Sequence, residues 1–188
     1  MSTTIMTEVF KFDELDDSAK TKAREWWRQA SAGDIYWSEC AIDDAKKIAR
    51  MLGFNIEHVY FSGFWSQGDG ACIVGTWAAK DVKAAELRAY APKDRELGSI
   101  RKAMRAFARA HRGNTANIKH QGRYYHEHSV SIEADQGEEA FAEIARDYMR
   151  WIYRALEREY EYQNADEQVD DNIRANEYTF TADGRRFG

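Results

Sequence analysis

Apolar positions along the chain change period several times, and each change marks an element. Ile5, Val9, Phe10 and Phe12 lie in a β-prone stretch ending at Asp13, a first strand after a loose tail of Met1 to Thr3. From Asp16 or Asp17, either of them a competent N-cap, Ala19, Ala23, Trp26, Trp27 and Ala30 recur at helical spacing. This predicts an amphipathic helix stopped by Gly33. A second helix over 38–52 carries Ile42, Ala45, Ile48, Ala49 and Leu52 on one face. Gly53 follows where a left-handed residue is favoured.

The period then falls to two. Residues 56–61 and 71–77 are β-rich runs joined by a glycine-rich loop, which predicts a hairpin, and Gly75 inside the second run marks a bulge or a close backbone approach. Helical patterns follow over 81–90 and, beyond the single Pro92, over 95–112, where Gly113 ends the run. Residues 115–120 and 123–133 predict a second hairpin around Gln121-Gly122. A long helix over 138–162 buries Phe141, Ile144, Ala145, Tyr148, Ile152, Ala155 and Leu156; a short acidic helix over 166–175 and a strand over 178–181 complete the chain. Hairpins impose antiparallel pairing, and the helices cluster between them. The expected class is therefore α+β, an antiparallel sheet built from hairpins with helices packed mainly on one face. No repeat, low-complexity tract or Pro/Ser-rich linker interrupts the chain, so one α+β domain over 1–188 is expected.

Composition narrows the class. The 188 residues are 44% hydrophobic and include 9 Phe, 6 Trp and 10 Tyr, enough to bury about 70% of the unfolded surface without a disulfide or structural metal. Cys40 and Cys72 are far apart with no CxxC pair, which points to a reducing cytoplasm. The N-terminus lacks a basic segment followed by an apolar one, and no apolar run reaches about 18 residues, so secreted and membrane classes are not expected.

Charge is uneven. The chain holds 27 basic and 32 acidic residues, a net −5, yet residues 80–123 hold twelve Lys or Arg against four acids. That local excess of eight leaves −13 for the remainder, much of it between Glu157 and Glu177. Arg101, Arg105, Arg109 and Arg112 share a narrow stripe of one helix, opposite Ile100, Met104, Phe107 and His111. The stripe is either a solvated face, paired with the acidic C-terminal helix, or a landing strip for phosphates or an acidic protein surface. Direct nucleic-acid binding through this basic helix stays open. The acidic C-terminal region has its own alternative, carboxylates spaced like DNA phosphates that occupy a nucleic-acid-binding partner.

The loop over 63–70 sets Phe64 and Trp65 beside Ser66, Gln67, Asp69 and three glycines. Gly68 and Gly70 permit positive φ and close approach, Asp69 can accept from a ribose hydroxyl or an amide, and Trp65 can stack on a base. The third glycine of a dinucleotide fingerprint and a Walker lysine are both missing. The alternative is a hairpin connection whose Phe64 and Trp65 tuck into the core. Farther on, a period of two places Tyr124, His126 and His128 on one strand face. His126 and His128 can supply two metal bonds, with His120 or His58 as a third, or they form a polar sheet face. No metal, cofactor or catalytic residue is assigned. Acid–base work by Asp69 or Glu127 with His126 or His128 needs contacts of about 3 Å, and Ser62, Ser66 and Cys72 stand in no nucleophile elbow. Trp151 and Tyr153 on the long helix are either core or anchors for a partner.

The stretch Tyr60-Phe61-Ser62-Gly63-Phe64-Trp65-Ser66-Gln67-Gly68-Asp69-Gly70-Ala71 resembles the most recognisable segment of a family of small tailed-phage and prophage proteins, sometimes labelled antitoxin-like. Tyr90-Ala91-Pro92-Lys93-Asp94, Met149-Arg150-Trp151-Ile152-Tyr153, Glu159-Tyr160-Glu161-Tyr162, Asn176-Glu177-Tyr178 and Asp183-Gly184-Arg185-Arg186 extend the resemblance over most of the chain. It implies a phage origin, the cytoplasm of the bacterial host and an accessory role at the host interface. The expected function is a binding protein that inhibits a host factor, a component of antiviral defence such as a CRISPR effector. Its candidate binding residues are Phe64, Trp65, Ser66, Gln67, Asp69, Arg101, Arg105, Arg109 and Arg112. The alternative is a nucleotide-binding protein that sequesters or hydrolyses a signalling nucleotide.

Overall fold

Asp16 accepts a hydrogen bond from the Ala19 amide at 2.8 Å and so caps the first helix, α1 (Asp17–Ala30). The computed structural model describes residues 6–188; Ile5, expected to open the first strand, lies outside them. That strand is shorter than its β-prone composition suggests. β1 is Phe10–Lys11, and Phe12–Glu14 already forms a 3-10 turn in which the Leu15 amide reaches the Phe12 carbonyl at 3.2 Å. Phe12 and Leu15 are buried by that turn.

α2 (Glu39–Leu52) ends at Gly53, whose φ of 90° is the left-handed stop that the sequence anticipates. β2 (Phe54–Phe61) and β3 (Ala71–Ala78) then pair as an antiparallel hairpin. The register slips between Ile56 and His58, opposite Gly75. Gly75 has φ 153°, and a Cβ there would collide with the Asn55 carbonyl, so the expected close approach is what holds glycine at this position. α3 (Ala84–Tyr90) and α4 (Arg95–Ala110) follow, separated by the turn at Pro92; Asp94 caps α4 by accepting from the Leu97 amide at 2.9 Å. β4 (Thr115–His120) and β5 (Val130–Ala134) complete a four-stranded antiparallel sheet in the order β2-β3-β4-β5. α5 (Glu138–Asn164), α6 (Asp166–Ala175) and β6 (Thr179–Phe180) close the chain, with β6 paired antiparallel to β1.

The fold is thus mixed α and β with antiparallel sheets of four and two strands. The described residues gather into two compact units, Ser38–Arg158 and the described part of Met1–Trp37 with Glu159–Gly188. In the first, Trp77 packs on Phe141 at 4.7 Å and Phe107 at 5.7 Å, while Phe54, its cross-strand partner, stacks on Tyr148 at 5.6 Å. The helices therefore cover the Trp77 face of the sheet. The polar atoms of these large side chains are satisfied inside: the Trp77 indole donates to the Leu52 carbonyl at 2.9 Å and the Tyr148 hydroxyl to the Ala45 carbonyl. Cys72 is five residues from Trp77 on the same strand and faces the other way. The second unit has its own core of Phe12, Leu15, Ala19, Ala23, Val169, Ile173 and Phe180, with Trp26 edge-on to Phe180 at 5.8 Å. No helix among the described residues is long and apolar enough to cross a membrane.

Candidate functional site

The loop between β2 and β3 is held from within. The Asp69 carboxylate accepts from the Trp65 and Ser66 amides at 3.0 and 2.7 Å through one oxygen, and the Asp69 amide donates to the Ser66 carbonyl at 3.0 Å. Ser62 closes the base: its amide donates to the Gly70 carbonyl at 3.0 Å, and its Oγ accepts from the Gly70 amide at 3.2 Å. Each such bond contributes about 1 kcal/mol, more to a charged acceptor. Asp69 is therefore an organiser of the loop, with one carboxylate oxygen shared by the Trp65 and Ser66 amides.

The two loop aromatics part company. Phe64 is half-buried against the Tyr153 ring at 5.4 Å, and the Tyr153 hydroxyl donates to the Gly63 carbonyl at 3.0 Å. Burial, then the nearby charges of Asp69 and Glu157, hold the Tyr153 pKa above its ordinary value, which keeps it a donor. Trp65 instead stays 77% exposed, edge-on to Phe64 at 6.2 Å. Phe64 is thus partly sheltered against Tyr153, whereas Trp65 stands outside.

A second loop meets the first. Residues 121–129 connect β4 to β5, so the expected strand over 123–129 is corrected to a loop, and Tyr124, His126 and His128 do not share a strand face. Gly122, at φ 83°, turns the chain out of the ladder. The loop then lies against Gly70, where an added Cβ would come within 2.7 Å of His126 Cα. Tyr125 stacks on Tyr60 at 5.2 Å with 13° between planes, His120 lies 5.2 Å from Tyr125, and the Tyr60 and Cys72 pair is thereby covered on the sheet face opposite Trp77. Burial pushes the Cys72 thiol up to about 11, so it is a closed, protonated thiol and no nucleophile. Arg150 of α5 pins the same loop through Glu127 at 3.3 Å. Tyr124 and Tyr125 remain exposed beside Trp65's loop, with the Arg123 guanidinium 4.8 Å from the Tyr124 ring. His126 and His128 are 5.9 Å apart ring to ring, and no cluster of three or more His, Cys, Asp or Glu suited to a metal occurs among the described residues.

The arginine stripe forms a separate surface. Arg101, Arg105 and Arg109 of α4 line a groove of about 530 Å³ together with Arg112, which the helix, ending at Ala110, leaves in the turn beyond it and not on the expected stripe, and with Lys83 and Arg88 of the α3 region. Ala79, Val82, Ala84, Ala85 and Ala108 complete the lining with small side chains, together with one carboxylate, Glu86. No carboxylate of Ser38–Arg158 pairs with any of the four arginines: Glu86 turns to Lys83 at 3.9 Å, Glu96 to Arg154, and Asp94 is held by the Leu97 amide and by the Trp151 indole at 3.0 Å. The groove lining includes none of the residues of the 62–70 loop. Sequence spacing revealed the arginine row but not Lys83 and Arg88 beside it, because Pro92 and the turn around it separate the two segments. It also left open whether Tyr153 anchors a partner; the hydroxyl positions the Trp65 loop instead.

The fold and these two surfaces define a mixed α and β protein built around an antiparallel sheet, with a pre-formed aromatic loop end and an arginine-lined groove. Residues 37–166 match the family model of the domain of unknown function DUF8835, and the chain belongs to that family. The match spans both β hairpins, both loops and the groove. No curated protein and no solved structure matches the chain.

Proposed function

We propose that this chain is a binding protein that docks on a host protein through its aromatic loop end and inhibits it. The observation that carries the reading is Trp65, 77% exposed on a loop already tied down by Asp69 and Tyr153. An exposed indole on an ordered loop loses little conformational entropy on binding, and Trp and Tyr dominate the energetic centres of protein interfaces. Tyr124 and Tyr125 widen the patch. The phage origin, the bacterial cytoplasm and the assignment of the target to antiviral defence, such as a CRISPR effector, rest on the resemblance of the loop sequence.

The test pairs binding with function. Tagged protein should retain a stoichiometric protein from a bacterial lysate, and its expression should protect a targeted phage from the defence system concerned. Trp65→Ala should weaken capture by about 30-fold or more at an unchanged melting temperature. Intact capture by Trp65→Ala would remove the loop end as the docking surface, and loss of phage protection from the wild-type chain would refute the inhibitor role. Release of a small nucleotide from the denatured protein, with no captured protein, would favour the alternative of a nucleotide-binding protein that sequesters or hydrolyses a signalling molecule.

A further inference from the structure

We propose that the groove between α3 and α4 seats the sugar–phosphate backbone of duplex nucleic acid and reads its charge, not its bases. Arg101, Arg105 and Arg109 repeat every four residues along α4, so their Cα atoms rise about 6 Å per step and about 12 Å in all, the axial rise of three to four nucleotides of one strand. Lys83 and Arg88 line the same groove, and a second groove continues past Arg88 and Arg101 with Lys93, Arg95, Lys102 and one acid, Asp94, on its lining; Asp94 is engaged by the Leu97 amide and the Trp151 indole. Within their unit the four arginines of the groove have no carboxylate partner, while the nearby acids are bound to Lys83, Arg154 or the α4 cap. A guanidinium fork meets a phosphate bidentately, and each phosphate neutralised releases condensed counterions.

The lining also decides what kind of polyanion fits. No aromatic side chain lines either groove, so there is no platform on which an unstacked base can sit, as single-strand binding requires. The same absence disfavours an acidic protein, whose tight binding needs apolar anchors at the centre of the contact. A duplex backbone presents regular charge with its bases stacked away, which suits a lining of six cations and small apolar side chains whose one carboxylate, Glu86, lies 3.9 Å from Lys83. The chain's net charge of −5 does not prevent this, since charges beyond about 10 Å are screened at 0.1 M salt. The loop end is not required, so this site stands or falls separately from the docking surface proposed above.

Fluorescence anisotropy with 20-bp DNA duplexes of two unrelated sequences tests it across a salt series. Both duplexes should bind alike, with log K falling against log salt at a slope of about −4 for four or five phosphates engaged. The Arg105→Ala/Arg109→Ala double variant should flatten that slope by about 2, whereas Arg105→Lys/Arg109→Lys should keep it and Trp65→Ala should leave it unchanged. Melting curves confirm that the exposed-site variants fold. No duplex binding at 50 mM salt, or a slope unchanged in the alanine double variant, overturns the proposal. Poly-glutamate binding as tightly as the duplex would also overturn it, in favour of an acidic protein surface.

Discussion

Arg24 and Arg101 both lie half-buried on helices, and in composition they are equivalent. Arg24 forks onto the Asp170 carboxylate at 2.6 and 2.7 Å, with Asp166 at 3.4 Å beside it, and Arg28 reaches Asp166 at 2.6 Å and the Asn164 carbonyl at 2.9 Å. Arg174 pairs with Asp13 and Asp171 at 2.9 and 3.0 Å. The arginines of α4 meet no carboxylate in their unit and line a groove instead. Placement relative to acids separates the two sets: in one the charge is consumed in tying α1, α6 and the N-terminal turn together, and in the other it is left to act outward. The acidic C-terminal helix, whose excess of carboxylates suggested a surface for a partner, has Asp166, Asp170 and Asp171 committed to arginines of its own unit.

That contrast can be broken at its strongest point. Arg24→Ala leaves Asp170, whose side chain is only 13% exposed, without its bidentate partner, and should destabilise the protein by about 2 kcal/mol. In a chain of this length that lowers the melting temperature by about 4 to 8 °C. The Asp170 hydrogen bond holds the Arg24 pKa above its ordinary value, with burial pulling the other way, so this loss should be present across the neutral range. A loss below about 0.5 kcal/mol would mean that the fork is no stronger than a surface ion pair.

A smaller effect should appear in acid. The Arg28 hydrogen bond, with the charges of Arg24 and Arg28 beside it, holds the Asp166 carboxyl below the usual carboxylate range, against an opposing contribution from burial. A carboxylate depressed on folding stabilises above its unfolded pKa of about 3.9, and that contribution is lost as pH falls through the lower folded value. Wild-type melting temperature should therefore fall below about pH 4, and Asp166→Asn should flatten that acid limb. An identical limb in the variant would show that other carboxylates carry it. The smallest effect belongs to the unpaired set: Arg109→Ala should change stability by no more than about 0.5 kcal/mol, because an exposed side chain without a partner has little to lose. A larger drop in its thermal denaturation would reveal a structural role and weaken the case for an outward-facing groove.

Much of the fold was legible from pattern. The starts of α4 and α5, both bounds of α6, a cap at one of Asp16 and Asp17, the stop at Gly53 and the close approach at Gly75 all follow from local rules of period, capping and chirality. The error at 123–129 has a definite cause. Tyr124, Tyr125 and the alternating histidines have strand-like composition, but β-propensity measures fit to a neighbouring surface. Here that surface is the packed end of the β2–β3 hairpin, where Tyr125 stacks on Tyr60 and His126 lies against Gly70. Similarly, Phe64 and Trp65 are adjacent and alike in hydrophobicity. Tyr153, ninety residues beyond Gly63, packs on Phe64 and holds the Gly63 carbonyl, while Trp65 remains exposed.

The amino-acid order alone therefore determined the helices, the β2–β3 hairpin, the mixed antiparallel class and the arginine row on α4, because each depends largely on local pattern. Tertiary structure alone decided which arginines are neutralised, which side chains line the groove beside that row, and how two loops form one aromatic end. Those outcomes depend on contacts between residues distant in sequence, such as Arg24 with Asp170 and Gly63 with Tyr153. Charge and aromaticity are properties of residues, but their availability to a partner is a property of the packing around them.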